Sequence, residues 1–197
     1  MYIFMSKTYP LSELETKAWK FAHNAHDGIK RKFSGVPYFY HVRQVFKLVK
    51  KVDTRKELGA AALLHDTVED VENITYDVIK KEFGKRVADL VKELTSNDEL
   101  VSVMGKSEYL ADKLLSISDD ALIIKLCDRY QNLSDHFTSS DKFRDKYFKE
   151  TNYIITKLKQ DRHLNRKQQI ILDWIEGLLS MMKKRYKLNT FESFKLL

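Results

Sequence analysis

The sequence predicts one almost entirely α-helical domain, and three observations support this fold class. Its 197 residues include only two prolines and six glycines, so few positions interrupt a helix. Most apolar residues recur three and four positions apart, which is the spacing of a buried helix face. A chain of this length is typical of a single domain. We therefore expect one domain over residues 1–197, built from about ten helices.

The N-terminal half predicts five helices, each with an apolar stripe bounded by polar turns. The clearest is 76–83, because Thr75 is a good N-cap and Gly84 follows the last helical residue. A basic loop at 27–38 separates the first two helices and contains two glycines and a proline. The predicted helices span residues 11–25, 40–50, 54–70, 76–83 and 85–94.

The C-terminal half predicts four further helices. Residues 95–105 are mostly polar and predict an irregular segment, after which Ser107 predicts an N-cap. The run 121–127 is apolar except for Lys125, which suits either a buried strand or a buried helix. Its continuation into 128–133 favours a helix that crosses the core. The predicted helices span residues 107–115, 121–133, 142–159 and 166–186.

The composition excludes several classes of protein. Cys127 is the only cysteine, which excludes a disulfide scaffold and fits a reducing compartment. No stretch approaches the roughly 20 apolar residues of a membrane span, and the apolar segment 1–5 is too short for a signal-peptide core. We therefore expect a cytoplasmic protein with no membrane partner.

The charge of the chain is compatible with an anionic partner. Lys and Arg number 35 against 28 Asp and Glu, a net charge of +7. Nucleic acid, a membrane surface or a phosphorylated small molecule would each suit such a surplus. Much of the surplus lies on ordinary helical faces such as 142–146 and 183–185, and the sequence contains no nucleic-acid-binding motif. We expect no nucleic-acid partner.

A dense polar patch follows the most apolar predicted helix. His65 and Glu69 are four residues apart, as are Asp66 and Asp70, so a continuous helix would place the two pairs in adjacent rows. Carboxylates at a helix C-terminus oppose the macrodipole by roughly 0.3–1 kcal/mol each. A divalent transition-metal ion bound by His65 and Asp66 would compensate them. The alternative is an exposed helix end whose acids face water, with His65 as a hydrogen-bonded core residue.

Two other segments favour the metal. His41 stands at the start of the second predicted helix, and Asp128 stands at the end of the apolar run. A buried aspartate is costly unless it is paired or bound to a metal. Together with His65 and Asp66, these residues form a His/His/Asp/Asp set drawn from three predicted helices.

The order of these residues resembles that of the HD-superfamily metallophosphohydrolases. The flanking residues resemble, more narrowly, the hydrolase domain of RelA/SpoT homologues, especially the stand-alone small alarmone hydrolases. The resemblance implies an HD-type helical bundle. It runs from about residue 21 to 135, with weaker similarity to about 174 and C-terminal helices at about 142–186. The motifs that carry it are Ala25-His26-Asp27-Gly28, Arg31-Lys32, Ser34-Gly35, Pro37-Tyr38 with His41, Leu63 to Asp70, and Ile124 to Arg129 with Asn132-Leu133.

The resemblance also implies an activity. It implies Mn²⁺ as the cofactor and the removal of the 3′-pyrophosphate from guanosine tetra- or pentaphosphate, giving GDP or GTP. It implies a small-molecule alarmone nucleotide as the partner and a functional pairing with an alarmone synthetase, with monomer or homodimer left open. The implied metal ligands are His41, His65, Asp66 and Asp128; the implied acidic pair that activates the attacking water is Glu69 and Asp70; the implied nucleotide contacts are Arg31, Lys32 and Asn132.

Three departures from the family pattern leave the base preference open. Val42 follows His41 where the family usually has proline, and Phe33 lengthens the opening loop by one residue. Tyr130-Gln131 precedes Asn132 where many relatives have a hydrophobic residue and histidine. An adenosine alarmone, NADPH or a nucleoside monophosphate are alternative substrates, and a non-catalytic nucleotide-sensing module is an alternative function.

Three other features receive ordinary interpretations. His26 is interpreted as a surface or helix-end residue, and Cys127 as a small packed hydrophobe. Tyr109 and Lys113 share one helix face after the irregular segment. That region is interpreted either as a lid over the site or as ordinary helix packing.

Overall fold

The computed structural model describes residues 10–187, and eleven α-helices lie within that range. The prediction of an all-α fold is confirmed. The only β-pairing among the described residues is an isolated antiparallel bridge between Lys30 and Pro37. Residues 1–5, which are too short for a signal-peptide core, lie outside the described range. The helices are α1 Glu13–Ala25, α2 Phe39–Val52, α3 Lys56–Leu64, α4 Thr67–Asp70, α5 Tyr76–Phe83, α6 Lys85–Leu94, α7 Asp98–Met104, α8 Lys106–Ser116, α9 Asp119–Asp135, α10 Asp141–Asp161 and α11 Arg166–Tyr186, with a 3₁₀ turn at His136–Thr138.

Capping residues account for the helix boundaries that the sequence predicted well. The Thr75 side chain accepts a hydrogen bond from the Val78 amide at the start of α5. Gly84 separates α5 from α6 at φ +85°, a conformation that favours glycine. The first helix begins two residues later than predicted because Ser12 and Glu15 form a capping box there.

The prediction of one continuous helix over 54–70 is wrong, because the helix is interrupted at His65 and Asp66. The His65 ring donates from Nδ1 to the Ala62 carbonyl (2.8 Å), and the Thr67 hydroxyl donates to the Leu64 carbonyl (2.7 Å). These side chains satisfy carbonyls that a continuing helix would have paired. Glu69 and Asp70 therefore lie on the short helix α4 and not at the C-terminus of a long one, so they do not oppose the macrodipole of a long helix.

The segment 95–105 is also more regular than predicted. It contains α7, which begins where the Asn97 side chain accepts from the Leu100 amide (3.1 Å) and ends at Gly105. No residue of α7 is buried, so an apolar stripe did not mark this helix in the sequence. Ser107 is not an N-cap, because α8 begins one residue earlier with Gly105 at that position.

The core is centred on α3 and α9. Residues 58–64 of α3 are all buried, and this helix packs against α1, α2, α6 and α9. The apolar run 121–127 lies in α9 and is buried apart from Lys125, so the helical interpretation of that run is confirmed. Both helices carry polar residues next to their most apolar stretches. The fold therefore brings chemistry-bearing side chains into its interior.

Between residues 10 and 187, no helix is both long enough and apolar enough to cross a bilayer. The predicted cellular location stays a prediction.

Candidate metal centre and adjoining cavity

Three parts of the fold bring the four predicted ligands together. His41 lies in the first turn of α2, His65 and Asp66 lie at the break between α3 and α4, and Asp128 lies within α9. Asp66 Oδ2 lies 3.0 Å from His65 Nε2 and 3.5 Å from His41 Nε2. Asp128 Oδ1 lies 3.3 Å from His41 Nε2 and 3.9 Å from His65 Nε2. All four residues are buried.

The geometry of the two histidines fits a metal ion. His65 Nδ1 donates to the Ala62 carbonyl and His41 Nδ1 donates to Gln131 Oε1, so each ring turns its Nε2 lone pair towards the carboxylates. Among the described residues, both Nε2 atoms are buried without a hydrogen-bond partner. The ligand atoms of His41, His65 and Asp66 lie within 4.8 Å of one another. Two imidazole nitrogens with carboxylate oxygens suit a divalent transition-metal ion.

Strong electrostatic coupling links these groups. Burial by itself would lower the pKa of His65, but Asp66 and Asp128 outweigh it and raise that pKa. Burial would raise the pKa of each aspartate. The neighbouring histidines, with Lys125 beside Asp128, instead hold both carboxyl pKa values well below the usual range. The carboxylates are therefore ionised and available as ligands near neutral pH.

Neighbouring side chains orient the two carboxylates. Tyr38 donates its hydroxyl to Asp66 Oδ2 (2.8 Å). Asn132 donates to Asp128 Oδ1 (2.5 Å), and Lys125 Nζ lies 3.2 Å from Asp128 Oδ2. Partners of this kind hold ligand rotamers in place and raise metal affinity.

The structure separates the two members of the predicted acidic pair. Asp70 lines a cavity beside the metal centre, and its Oδ2 lies 3.8 Å from His26 Nε2. Burial, together with the charge of Asp66, raises the pKa of Asp70 to about 6. Glu69 turns the other way, and its Oε1 accepts a hydrogen bond from the Ser96 amide. Asp70 is thus the member placed to exchange protons inside the cavity.

All three predicted nucleotide contacts line this cavity, which has a volume of about 330 Å³. The loop 29–34 forms one wall, held by hydrogen bonds from the Arg31 amide to the Val36 carbonyl and from the Gly35 amide to the Arg31 carbonyl. The Arg31 guanidinium donates to Asn132 Oδ1 (2.6 Å) and to Asp135 Oδ2 (3.1 Å). The ammonium of Lys32 lies over the ring of Phe33, 5.9 Å from its centroid. The predicted residues therefore surround one cationic opening.

His26 lies at the end of α1, which agrees with one of its two interpretations, but it is buried rather than at the surface. Its Nδ1 donates to the Ala22 carbonyl (2.8 Å), and its ring stacks on Tyr38 at 5.1 Å. Periodicity did not reveal its burial, because His26 follows the last residue of α1 and packs against Tyr38, twelve residues further along the chain.

Two other residues acquire a clearer role. Gln131, one of the departures from the family pattern, is the partner that orients His41. Cys127 is fully buried, and burial raises the pKa of its thiol, so its interpretation as a packed hydrophobe is confirmed.

Tyr109 and Lys113, which share one face of α8, contact the segment 95–97, and this segment lies next to Glu69. Tyr109 accepts the Asn97 amide at its hydroxyl (2.8 Å), and Lys113 donates its ammonium to the Thr95 carbonyl. The intervening Ser96 amide donates to Glu69. These contacts join the start of α7 to both α8 and α4.

The sequence of this chain is similar to those of known proteins. Residues 18–163 match the HD domain family. The chain is 34% identical over 144 residues to guanosine-3′,5′-bis(diphosphate) 3′-pyrophosphohydrolase of Aquifex aeolicus, an alignment that covers 72% of this chain and 20% of that protein. It is 37% identical over 125 residues to the GTP pyrophosphokinase rsh of Brucella ovis, covering 61% of this chain and 16% of that protein. The chain thus spans a fifth or less of each of these two relatives.

One solved structure is similar to this chain over most of the length of both. It is described as a metazoan ortholog of SpoT that hydrolyzes ppGpp and plays a role in starvation responses. The TM-score is 0.74 at 28% sequence identity, covering 90% of this chain and 98% of that one. The similarity therefore extends beyond the metal centre to the whole bundle.

Proposed function

Because this chain belongs to the HD domain family, we propose that it hydrolyses guanosine tetra- or pentaphosphate, releasing pyrophosphate from the 3′ position and leaving GDP or GTP. One observation carries the proposal. The buried histidine and aspartate side chains meet beside a cavity whose lining includes three consecutive basic residues, Lys30, Arg31 and Lys32. The reported activities of the Aquifex and metazoan proteins support the choice of substrate.

We propose that His41, His65, Asp66 and Asp128 hold the metal, with Mn²⁺ as the ion. The support is the two buried Nε2 atoms aimed at carboxylate oxygens. When bound, such an ion supplies Lewis-acid chemistry that polarises a phosphoryl oxygen and acidifies water. The protein supplies the rigid donor set, since Tyr38 and Asn132 fix the two aspartates.

Asp70 is proposed as the group that takes a proton from the attacking water. It lines the cavity, and its raised pKa of about 6 keeps it mostly ionised at neutral pH yet basic enough to accept a proton. Glu69 completes the acidic pair by an orienting role, because its hydrogen bond to Ser96 anchors α4 to the start of α7.

Arg31, Lys32 and Asn132 are proposed to bind the phosphates of the nucleotide. A guanidinium suits two-pronged contacts with phosphate oxygens, and an ammonium adds a point charge. Arg31 pairs with Asp135 at 2.9 Å in this structure. We expect a substrate phosphate to compete with Asp135 for the Arg31 guanidinium.

A functional pairing with an alarmone synthetase is part of the proposal. It is supported by the name of the Brucella relative, a GTP pyrophosphokinase. Hydrolysis by this chain would then reverse the accumulation of the synthetase product.

The test uses metal-depleted protein supplied with Mn²⁺ and guanosine tetraphosphate, with GDP and pyrophosphate measured as products. Asp66→Ala removes a proposed ligand, and Asp77→Ala is the matched control because Asp77 is exposed on α5. We expect metal-dependent release in the wild type and the control, and none with Asp66→Ala. Absence of turnover in folded, metal-loaded wild-type protein would contradict the proposal.

Parallel reactions test the alternative substrates. An adenosine alarmone, NADPH and nucleoside monophosphates replace guanosine tetraphosphate under the same conditions. Faster turnover of any of these would overturn the guanosine assignment while retaining metal-dependent hydrolysis. Nucleotide binding without turnover of any substrate would instead support a sensing module.

A further inference from the structure

The cavity beside the metal centre is lined by two kinds of side chain. Tyr38 and Asn132 are polar, and each donates a hydrogen bond to a proposed metal ligand. Phe33 and His136 are aromatic and form the aromatic wall of the cavity. Their ring centroids are 5.3 Å apart with a 55° angle between the ring planes. Arg31 and Asn132, two of the proposed phosphate contacts, line the same cavity as these rings.

Two further rings pack against this aromatic wall. The Phe33 ring also packs against Phe143 at 5.1 Å, and the His136 ring packs against Tyr147 at 4.2 Å. Lys32 Nζ lies 5.2 Å from the centroid of the Phe143 ring. Phe33 nevertheless remains 38% exposed, which is high for a phenylalanine held by so many neighbours. Part of its ring is therefore available to a ligand.

His136 contributes an uncharged ring to this surface. Burial, with the nearby charge of Arg31, lowers the pKa of His136 to about 4. The imidazole is consequently neutral at physiological pH, and the two rings form an aromatic surface beside a cationic loop.

We propose that Phe33, supported by His136 and Phe143, is the shelf on which the purine base of the substrate stacks, and that it determines affinity for the base. This inference rests on the proposed function, because it takes the substrate to be a nucleotide. Every nucleobase has an apolar face that stacks on aromatic side chains. Phe33 is the additional residue in the opening loop, so the shelf is a feature of this chain rather than of the motif that holds the metal.

The test compares two substrates with the same phosphates. One is guanosine tetraphosphate, and the other is ribose 5′-diphosphate 3′-diphosphate, which lacks the base. Base stacking on an aromatic side chain contributes enough affinity that its removal typically costs a factor of about 10. For Phe33→Ala we expect KM for guanosine tetraphosphate to rise about 10-fold, with kcat unchanged and with the base-free substrate unaffected. Phe33→Trp restores KM, and Met181→Ala, an exposed apolar residue on α11, behaves as wild type.

Two results would overturn the shelf. One is a Phe33→Ala variant whose KM changes equally for both substrates, and the other is a loss of kcat that Phe33→Trp does not restore. Either result would assign Phe33 to loop packing. Failure of the wild type to turn over any nucleotide would instead contradict the proposed function.

A binding measurement then tests the shelf independently of turnover. Quenching of the indole fluorescence of Phe33→Trp by the guanine nucleotide but not by the base-free compound, measured against wild type, supports the shelf. Equal quenching by both compounds, or none, overturns it.

Discussion

Replacement of Gly59 by alanine tests the packing of α3, the helix that ends just before the proposed metal ligands His65 and Asp66. Gly59 lies on α3 against a buried ion pair, in which Lys50 Nζ donates to Glu15 Oε1 at 2.6 Å. A Cβ atom at position 59 would overlap Glu15 Oε1 and lie 3.1 Å from Phe46 Cε2. Both carboxylate and ammonium are almost fully buried, so neither moves into solvent without cost.

The change in the free energy of unfolding caused by Gly59→Ala is the difference between opposing contributions. Alanine is favoured over glycine within a helix by about 1 kcal/mol. If Glu15 stayed in place, overpacking would cost roughly 1–3 kcal/mol, whereas breaking the buried ion pair instead costs roughly 3–5 kcal/mol. Because Glu15 has to leave Lys50 to admit the new methyl group, we expect Gly59→Ala to destabilise the fold by about 2–4 kcal/mol.

Urea denaturation followed by circular dichroism measures this change. Gly177→Ala is the matched control, since Gly177 is an exposed residue of α11 where an added Cβ atom would point into open space. There we expect a gain of up to about 1 kcal/mol. A Gly59→Ala variant as stable as wild type would refute the reasoning, because helix propensity would then outweigh the buried pair.

Three further predictions concern ionisation and burial. The apparent Kd for Mn²⁺ should rise as the pH falls from 8 to 6, because the proposed histidine ligands bind only when deprotonated. We expect a rise of about 10-fold per pH unit for each proton that the metal displaces, and titration calorimetry measures this Kd. Asp53 is buried, yet Arg55 and Lys167 hold the pKa of its carboxyl well below the usual range. Asp53→Asn should therefore cost about 2 kcal/mol of stability at pH 7, and the difference should shrink as the pH falls below about 4. The Cys127 thiol, buried and with a raised pKa, should react with a thiol reagent only after unfolding.

Specific outcomes would contradict each of these. A Kd independent of pH would mean that the histidines are not ligands. A stability difference for Asp53→Asn that persists unchanged at pH 2 would remove the ionised carboxylate as its cause. Rapid labelling of Cys127 in the native protein, with an unfolding rate too slow to account for it, would contradict its burial.

Local patterns in the sequence predicted much of this fold. The all-α class follows from apolar periodicity and the scarcity of helix breakers. Thr75 and Gly84 marked helix ends correctly because capping depends on the cap residue and its immediate neighbours. The break at His65 escaped prediction because it depends on side-chain hydrogen bonds to Ala62 and Leu64 that compete with an otherwise regular helix.

The order of the site residues along the chain is a property of the sequence, whereas their positions relative to one another depend on the tertiary structure. The sequence by itself determined which residue types are present, and the His, His-Asp, Asp order was enough to indicate a metal. Only the tertiary structure placed Gln131 behind His41, turned Glu69 away from the cavity, and set Phe33 against His136. These contacts join residues far apart in the chain, and their geometry depends on how whole helices pack rather than on local preference.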